Sequence, residues 1–102
     1  MDDIIFLISE TITQDSIGTC IKSETETKIF AEKLSISRSE FFSAGQQNLV
    51  PKLAFAVHDF EYHGEKSVKY DGVKYSVYRT YHNPNTEKTE IYLIRKAGEA
   101  SG

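Results

Sequence analysis

Three histidines and their acidic neighbours have the side-chain types that could bind a metal or move a proton. His58 directly precedes Asp59, Glu61 lies two positions before His63, and His82 stands apart. A transition-metal site needs several converging ligands, and no histidine has a His or Cys partner at a metal-ligand spacing. We therefore expect three exposed histidines at strand ends and in loops, and no metal site.

Candidate nucleophiles are present, but they lack partners that would activate them. Ser37, Ser39 and Ser43 have no base in register, and Cys20, the only cysteine, has no histidine nearby in sequence. We expect Cys20 to be a small buried or half-buried apolar residue. The glycines are scattered, without a phosphate-binding pattern. The sequence therefore indicates no catalytic site, no cofactor and no enzyme.

Tyrosines alternate with basic residues in the C-terminal half of the chain, a composition that could stack single-stranded bases. Those involved are Tyr62, Tyr70, Tyr75, Tyr78, Tyr81 and Tyr92 with Lys66, Lys69, Lys74 and Arg79. Two observations weigh against base stacking. The net charge is −3, from 15 acidic and 12 basic residues, and nucleic-acid binders are usually basic. The hairpin described next also turns Tyr70 and Tyr75 toward the core.

The dipeptide Asp71-Gly72 lies between two alternating segments and predicts a two-residue type I′ hairpin. Counting outward from the turn pairs Tyr70 with Val73 and Val68 with Tyr75 on one face, which we expect to be buried. The other face pairs two lysines, Lys69 and Lys74. Like charges that face each other directly require water or an acidic neighbour to screen them.

The remaining elements are short. We predict strands over residues 4–8, 19–23, 28–36, 53–60 and 89–96, a mobile polar loop over about 22–28 and a frayed tail over 97–102. Within 53–60, Leu53, Phe55 and Val57 share one face; Ile91 and Leu93 face inward on the last strand. The 102 residues fit one domain. About six strands and one helix predict a mainly β fold, a small antiparallel barrel or a sandwich.

One short helix is predicted from Arg38 to Ala44. Ser37 and Glu40 have the spacing of a capping box, in which each side chain accepts a hydrogen bond from the other residue's backbone N–H. Gly45 is a plausible end. We expect Phe41 or Phe42 to plug an open end of the sheet, because large aromatic side chains are usually buried.

The order of these features resembles the head-closure, or head–tail joining, proteins of tailed bacteriophages and prophages. The similarity covers about residues 28–95. It includes the Ser-x-x-Glu-Phe-Phe helix from Ser37, a Pro-x-Leu-x-Phe-x-Val strand from Pro51, a Val-x-Tyr-x-Gly-x-x-Tyr-x-Val-Tyr-Arg hairpin from Val68, and the final strand 90–94. The N-terminal third departs from the family form, since it has a long polar loop and lacks a tryptophan near the second strand. Phe30 is the candidate replacement for that tryptophan.

The resemblance implies a small β-barrel that joins a homo-oligomeric ring, contacts the portal–adaptor complex and the tail, and helps to retain packaged DNA without reading its sequence. It implies a virion protein that assembles in the host cytoplasm. The N-terminus lacks the basic start of a signal peptide, and its apolar run is too short to span a membrane.

Partner contacts are expected in polar loops that have no role in the core, over residues 45–52, 62–66 and 81–88. The side chains chosen are Gln46, Gln47, Lys52, Tyr62, His63, Glu65 and Lys66. The alternative hypothesis is a barrel module that binds single-stranded nucleic acid or a short peptide.

Overall fold

The computed structural model describes residues 2–95, which form a closed antiparallel barrel with strand order β1-β2-β3-β6-β5-β4. The strands are β1 (Asp2–Gln14), β2 (Cys20–Leu34), β3 (Leu53–His58), β4 (Ser67–Tyr70), β5 (Val73–Asn83) and β6 (Lys88–Arg95). One helix, α1 (Arg38–Gly45), joins β2 to β3, and a single 3-10 turn (Asp59–Glu61) follows β3. The barrel expected from the sequence is therefore confirmed. The expected frayed tail lies outside the described residues.

The core fills the barrel with apolar side chains from five strands, because alternate residues of each strand point inward. Its fully buried members are Ile5, Leu7, Phe55, Val57, Val68, Ile91 and Leu93. Tyr70 and Tyr75 are half-buried against this cluster. The inward faces predicted for β3 and β6 are thus correct, and these two tyrosines do not form an exposed stacking platform.

The Asp-Gly hairpin has the predicted register. Tyr70 pairs with Val73, and Lys69 pairs with Lys74. Asp71 has φ 52° and Gly72 has φ 78°, the two positive values that a type I′ turn requires.

The expected loop at residues 22–28 is wrong, because this segment is part of β2. Glu26 lies 3.4 Å from the Lys69 ammonium, and Glu24 lies 3.3 Å from that of Lys74. The polar run therefore supplies the acidic neighbours that the paired lysines need. This segment alternates two kinds of polar residue, so it lacks the alternation of apolar and polar residues that indicates a half-buried strand. For that reason the sequence suggested a loop.

Helix α1 begins where predicted, and the Ser37 hydroxyl accepts the Glu40 N–H at 3.1 Å. The expected burial of the phenylalanines is wrong: Phe41 is 46% exposed and Phe42 is 71% exposed. The helix instead turns Glu40 and Ala44, four residues apart, against the barrel. A buried carboxylate, not an aromatic ring, therefore fixes the position of the helix.

Residues 9–27 form a two-stranded arm that extends beyond the barrel wall. Strand β1 pairs with β4 only through Phe6, Leu7 and Ile8, whereas its pairing with β2 continues to Gln14. All side chains from residue 10 to residue 28 are exposed. The described part of the molecule accordingly measures 50 × 30 × 23 Å.

The exposed residues of the arm include Cys20. The prediction that this side chain is buried or half-buried is therefore wrong, because Cys20 lies in the part of β2 that extends beyond the barrel. Within residues 2–95 no helix is long and apolar enough to cross a membrane.

Candidate contact surfaces

The loop of residues 62–66 is held rigidly by its own side chains. The Tyr62 hydroxyl donates to the Glu65 carbonyl at 2.6 Å, and the Glu65 carboxylate accepts the His63 N–H at 2.7 Å. Burial raises the pKa of Tyr62, and the Glu65 charge adds to the effect. Tyr62 also packs against the core, and the Glu65 side chain is only 7% exposed. These two predicted contact residues therefore shape the loop, while His63 and Lys66 are exposed on it.

Two open clefts flank this loop. The β1 cleft, of about 290 Å³, separates the loop from the edge of β1 and is lined by Ile8, Ser9, Glu10, His63, Gly64, Glu65, Lys66 and Ser67. The β5 cleft, of about 310 Å³, lies on the other side and is lined by Tyr62, Gly64, Glu65, Lys66, Val77, Tyr78, Arg79 and Thr80. The loop is therefore a ridge with room on both sides, a shape that suits contact with another polypeptide.

The barrel wall separates Lys52 from Lys66. The Lys52 N–H donates to the Leu93 carbonyl on β6, and the Val77 N–H on β5 donates to the Lys66 carbonyl. Lys52 directly precedes β3 and Lys66 directly precedes β4, and these two strands are three apart in a closed barrel of six, so they lie on opposite sides. Both lysines are exposed. They are therefore two separate basic positions, and only Lys66 belongs to the ridge.

Gln46 and Gln47 are exposed directly after α1, where their N–H groups bond to carbonyls of its last turn. The structure gives neither side chain a hydrogen-bond partner within residues 2–95. The third predicted loop, 81–88, is shorter than expected: the turn covers only residues 84–87, because Tyr81, His82 and Asn83 extend β5.

A charged network fastens α1 to the outside of β5 and β6. The Arg79 guanidinium donates to both carboxylate oxygens of Glu40, at 2.6 and 3.2 Å, and the Tyr78 hydroxyl donates to the same carboxylate at 2.6 Å. Arg79 also lies over the Tyr92 ring, with its guanidinium carbon 4.3 Å from the ring centroid. The Tyr92 hydroxyl donates to Glu90 at 2.7 Å. Because the Glu40 carboxylate, the Arg79 guanidinium and both tyrosine hydroxyls all bond to partners inside the molecule, the network is a structural anchor.

The network shifts the ionisation of its members. Hydrogen bonding by Arg79 holds the pKa of Glu40 below its usual value, and Tyr78 adds to that effect. Burial, followed by the hydrogen bond to Glu40, raises the pKa of Tyr78. Burial and the bond to Glu90 raise the pKa of Tyr92 to about 12. At neutral pH the anchor therefore contains an ionised carboxylate and neutral tyrosines.

Asp59, His82 and Thr89 form the grouping that comes nearest to a catalytic triad. The Thr89 hydroxyl donates to Asp59 at 2.6 Å, and the His82 Nδ1 lies 3.1 Å from the same carboxylate. The bond from Thr89 is the main cause that lowers the pKa of Asp59. In a triad the histidine stands between nucleophile and acid, so that it can take the proton. Here the Asp59 carboxylate lies between Thr89 and His82, so the histidine is not in contact with the hydroxyl. The two contacts instead link the end of β3 to the β5–β6 hairpin.

The tyrosines do not form a continuous stacking surface. Tyr78 and Tyr92 are engaged in the anchor, and Tyr62 closes its own loop. His58, His63 and His82 are exposed, as predicted. Among the described residues, no group of three or more His, Cys, Asp or Glu side chains could hold a metal ion.

Sequence reasoning missed the arm and the anchor. A signal for the arm was available in the alternating Thr and Ile residues of 11–13, which favour a strand. No local signal could show the anchor, because Glu40 and Arg79 are 39 positions apart.

Comparison of the chain with protein-family models gives no match, and a search among curated proteins finds none with significant sequence similarity.

Proposed function

We propose that this protein is a non-enzymatic connector subunit of a tailed bacteriophage or prophage. It forms a homo-oligomeric ring between the portal–adaptor complex and the tail and helps to retain the packaged DNA. Its place of action is the virion, after assembly in the host cytoplasm. The proposal starts from the order of sequence features over residues 28–95, which resembles the head-closure family.

The observation that best supports this function is the ridge of residues 62–66. Its backbone is fixed by Tyr62 and Glu65, and it presents the exposed side chains of His63 and Lys66. A rigid loop loses little conformational entropy when it binds, and this favours contact with a preformed partner. The arm adds a second projecting element on the same barrel.

The charge distribution is compatible with a position beside packaged DNA. The net charge of −3 disfavours tight adhesion to a polyanion, while the exposed Lys52 and Lys66, on different sides of the barrel, each offer a local basic contact for an acidic protein surface. A ring subunit needs a rigid body and two different contact surfaces, because heterologous contacts are required to close a ring. The ridge and the arm are two such candidates.

The test is co-sedimentation of the purified chain with portal–adaptor complexes from the same phage or prophage. Lys52→Glu combined with Lys66→Glu should reduce binding at least tenfold, because two favourable contacts become repulsive. Lys28→Glu is the matched control: it reverses one exposed charge on β2, which pairs with β1 and β3 and not with the strands next to the ridge, and binding should stay within about twofold.

Glu65 requires a milder change than charge reversal, because its carboxylate holds the loop. Glu65→Gln keeps an acceptor oxygen and should retain most binding. If the wild-type chain does not bind, or if the double lysine variant binds normally, the connector proposal is wrong. Salt-sensitive binding to single-stranded DNA by the isolated chain would instead favour the alternative of a nucleic-acid-binding barrel.

A further inference from the structure

Four of the six phenylalanines are exposed, and they lie on two separate surfaces. Phe41 and Phe42 belong to α1, whereas Phe30, on β2, is 60% exposed and Phe60, in the 3-10 turn after β3, is 75% exposed. Large aromatic side chains are usually buried, and clusters of exposed ones commonly mark a contact with another molecule. Each of the two surfaces also carries a charge that indicates what it binds.

The outer face of α1 consists of Arg38, Phe41 and Phe42. These residues are three and four positions apart, so they share one side of the helix. Glu40 and Ala44 lie on the opposite side and are buried against the barrel. The outer face therefore points away from its own barrel. It presents two phenyl rings and the guanidinium of Arg38, which is exposed and makes no ion pair within residues 2–95.

The second surface is the Ala56 cleft, of about 260 Å³, on the outside of β2, β3 and β6. Its floor is Ala56, which points outward because Phe55 and Val57 point into the core. The ring of Phe60 stacks on that of His58, with centroids 5.3 Å apart. The full lining is Phe30, Glu32, Ala56, His58, Glu61 and Lys88. Since a cavity of about 150 Å³ admits benzene, this cleft has room for a phenyl ring.

The charges of the cleft favour a cation. Lys88 pairs with Glu32 at 3.7 Å, which leaves the half-buried Glu61 as the second carboxylate. The structure gives Glu61 no hydrogen-bond or ion-pair partner within residues 2–95. Arginine suits such a site, because its guanidinium pairs with a carboxylate and also stacks on an aromatic ring.

We propose that α1 of a second copy of this chain docks in the Ala56 cleft. Arg38 of one copy meets Glu61 of the other, and the two phenylalanines of α1 pack against Phe30 and Phe60. Side chains at positions i, i+3 and i+4 of a helix commonly fill an apolar groove in this way. The occupant is a second copy because the two surfaces match in charge and in apolar character on one and the same chain.

The contact joins two different surfaces, so it is heterologous, the kind that closes a ring when the rotation between copies permits. In the ring proposed above it joins neighbouring subunits and leaves the ridge to the portal–adaptor complex; in that respect it rests on the proposed function. One face of a two-turn helix makes a small contact. Stable complexes generally bury more than about 1,000 Å², so we expect weak self-association that becomes detectable at about 100 μM.

Sedimentation velocity of the full chain alone, over a series of concentrations, tests the charge pair. Arg38→Glu and Glu61→Lys each place like charges opposite each other, so either variant by itself should associate at least about tenfold more weakly than the wild type. An equimolar mixture of the two should recover association to within about threefold, because each α1 then faces a cleft of opposite charge. A mixture no stronger than the separate variants, or a wild type that is monomeric at millimolar concentration, would overturn the proposal.

Phe42→Ser tests the apolar part of the contact. It should weaken self-association at least about tenfold, because exposed aromatic anchors contribute much of the energy of such contacts. Ile17→Ser is the matched control, since Ile17 is 84% exposed at the turn of the arm and belongs to neither surface. Both variants should keep the far-ultraviolet circular dichroism of the wild type. Equal weakening by the two changes would contradict a specific contact.

These measurements contain no portal–adaptor complex, so the self-contact and the connector role can fail separately. Recovery in the charge-swapped mixture without binding to portal–adaptor complexes would contradict the connector role and support the contact. Binding to those complexes without recovery in the mixture would contradict the contact alone.

Discussion

The two halves of β1 have opposite roles although they belong to one strand. In the barrel, Ile5 is completely buried; in the arm, Ile12 is 67% exposed. Both residues pair with β2 in one continuous register. What differs is the strand on the other side of β1, because β4 pairs with the first half and this pairing ends at Ile8. Strand formation alone therefore does not create a core; closure of the barrel does.

The first prediction separates the two halves by stability. Ile5→Ala should lower the free energy of unfolding by about 2–5 kcal/mol, because it leaves a cavity in a closed core. Ile12→Ala should change it by no more than about 0.5 kcal/mol, as is usual for exposed positions. Urea denaturation at a few micromolar protein measures both variants. Equal losses would mean that the arm is part of the cooperative core.

The second prediction concerns the anchor between α1 and the barrel. Glu40→Gln should cost about 2 kcal/mol at pH 7, the order of a hydrogen-bonded charge that is lost from a buried position. The pKa of Glu40 is lower in the folded state than its usual value of 4.5. Its ionised form therefore stabilises the fold above that value, and this contribution disappears as pH falls through the lower folded value.

Thermal unfolding between pH 3 and pH 7 checks this sign. The wild type and Glu40→Gln should differ most at neutral pH and converge in acid. Arg79→Lys should lose much of the same stability, because an ammonium group cannot donate in the two-pronged geometry of a guanidinium. A gap that widens in acid would contradict the assignment.

The third prediction compares two turn glycines. Gly72, in the barrel, and Gly18, at the tip of the arm, have φ values of 78° and 86°, and an added Cβ meets no atom within 4 Å at either. Alanine is strained at both. Gly72→Ala should cost about 1 kcal/mol in global stability. Gly18→Ala should cost less, because the arm can fray locally without opening the core. Hydrogen exchange in the arm should rise in Gly18→Ala alone.

The barrel was largely predictable from the sequence because its signals are local. Asp71-Gly72 specifies a turn by backbone conformation, and the alternation around Phe55 and Ile91 specifies an inward face. The positions of Phe41 and Phe42 were not predictable in this way. Large aromatic residues are usually buried, but the orientation of the helix is set by the bond between Glu40 and Arg79, which are far apart in sequence.

The contact surfaces were only partly predictable. Lys66 and His63 are exposed, as expected for a polar loop. The Glu65 carboxylate instead accepts a hydrogen bond within the loop. Lys52 is exposed too, but it lies on the side of the barrel opposite Lys66, because β6 and β5 separate β3 from β4. Apart from residues 11–13, the arm lacks the apolar alternation that normally marks a strand, and its residues are exposed.

Native mass spectrometry of portal–adaptor complexes, with and without the chain, tests the connector account most directly. The account predicts that every complex gains the same integral number of 11.6 kDa subunits at saturation, as a closed ring requires. The Lys52→Glu, Lys66→Glu double variant should show no such gain at the same concentration. A wild-type chain that adds no mass at micromolar concentration, or a variable number of copies from complex to complex, would contradict the account.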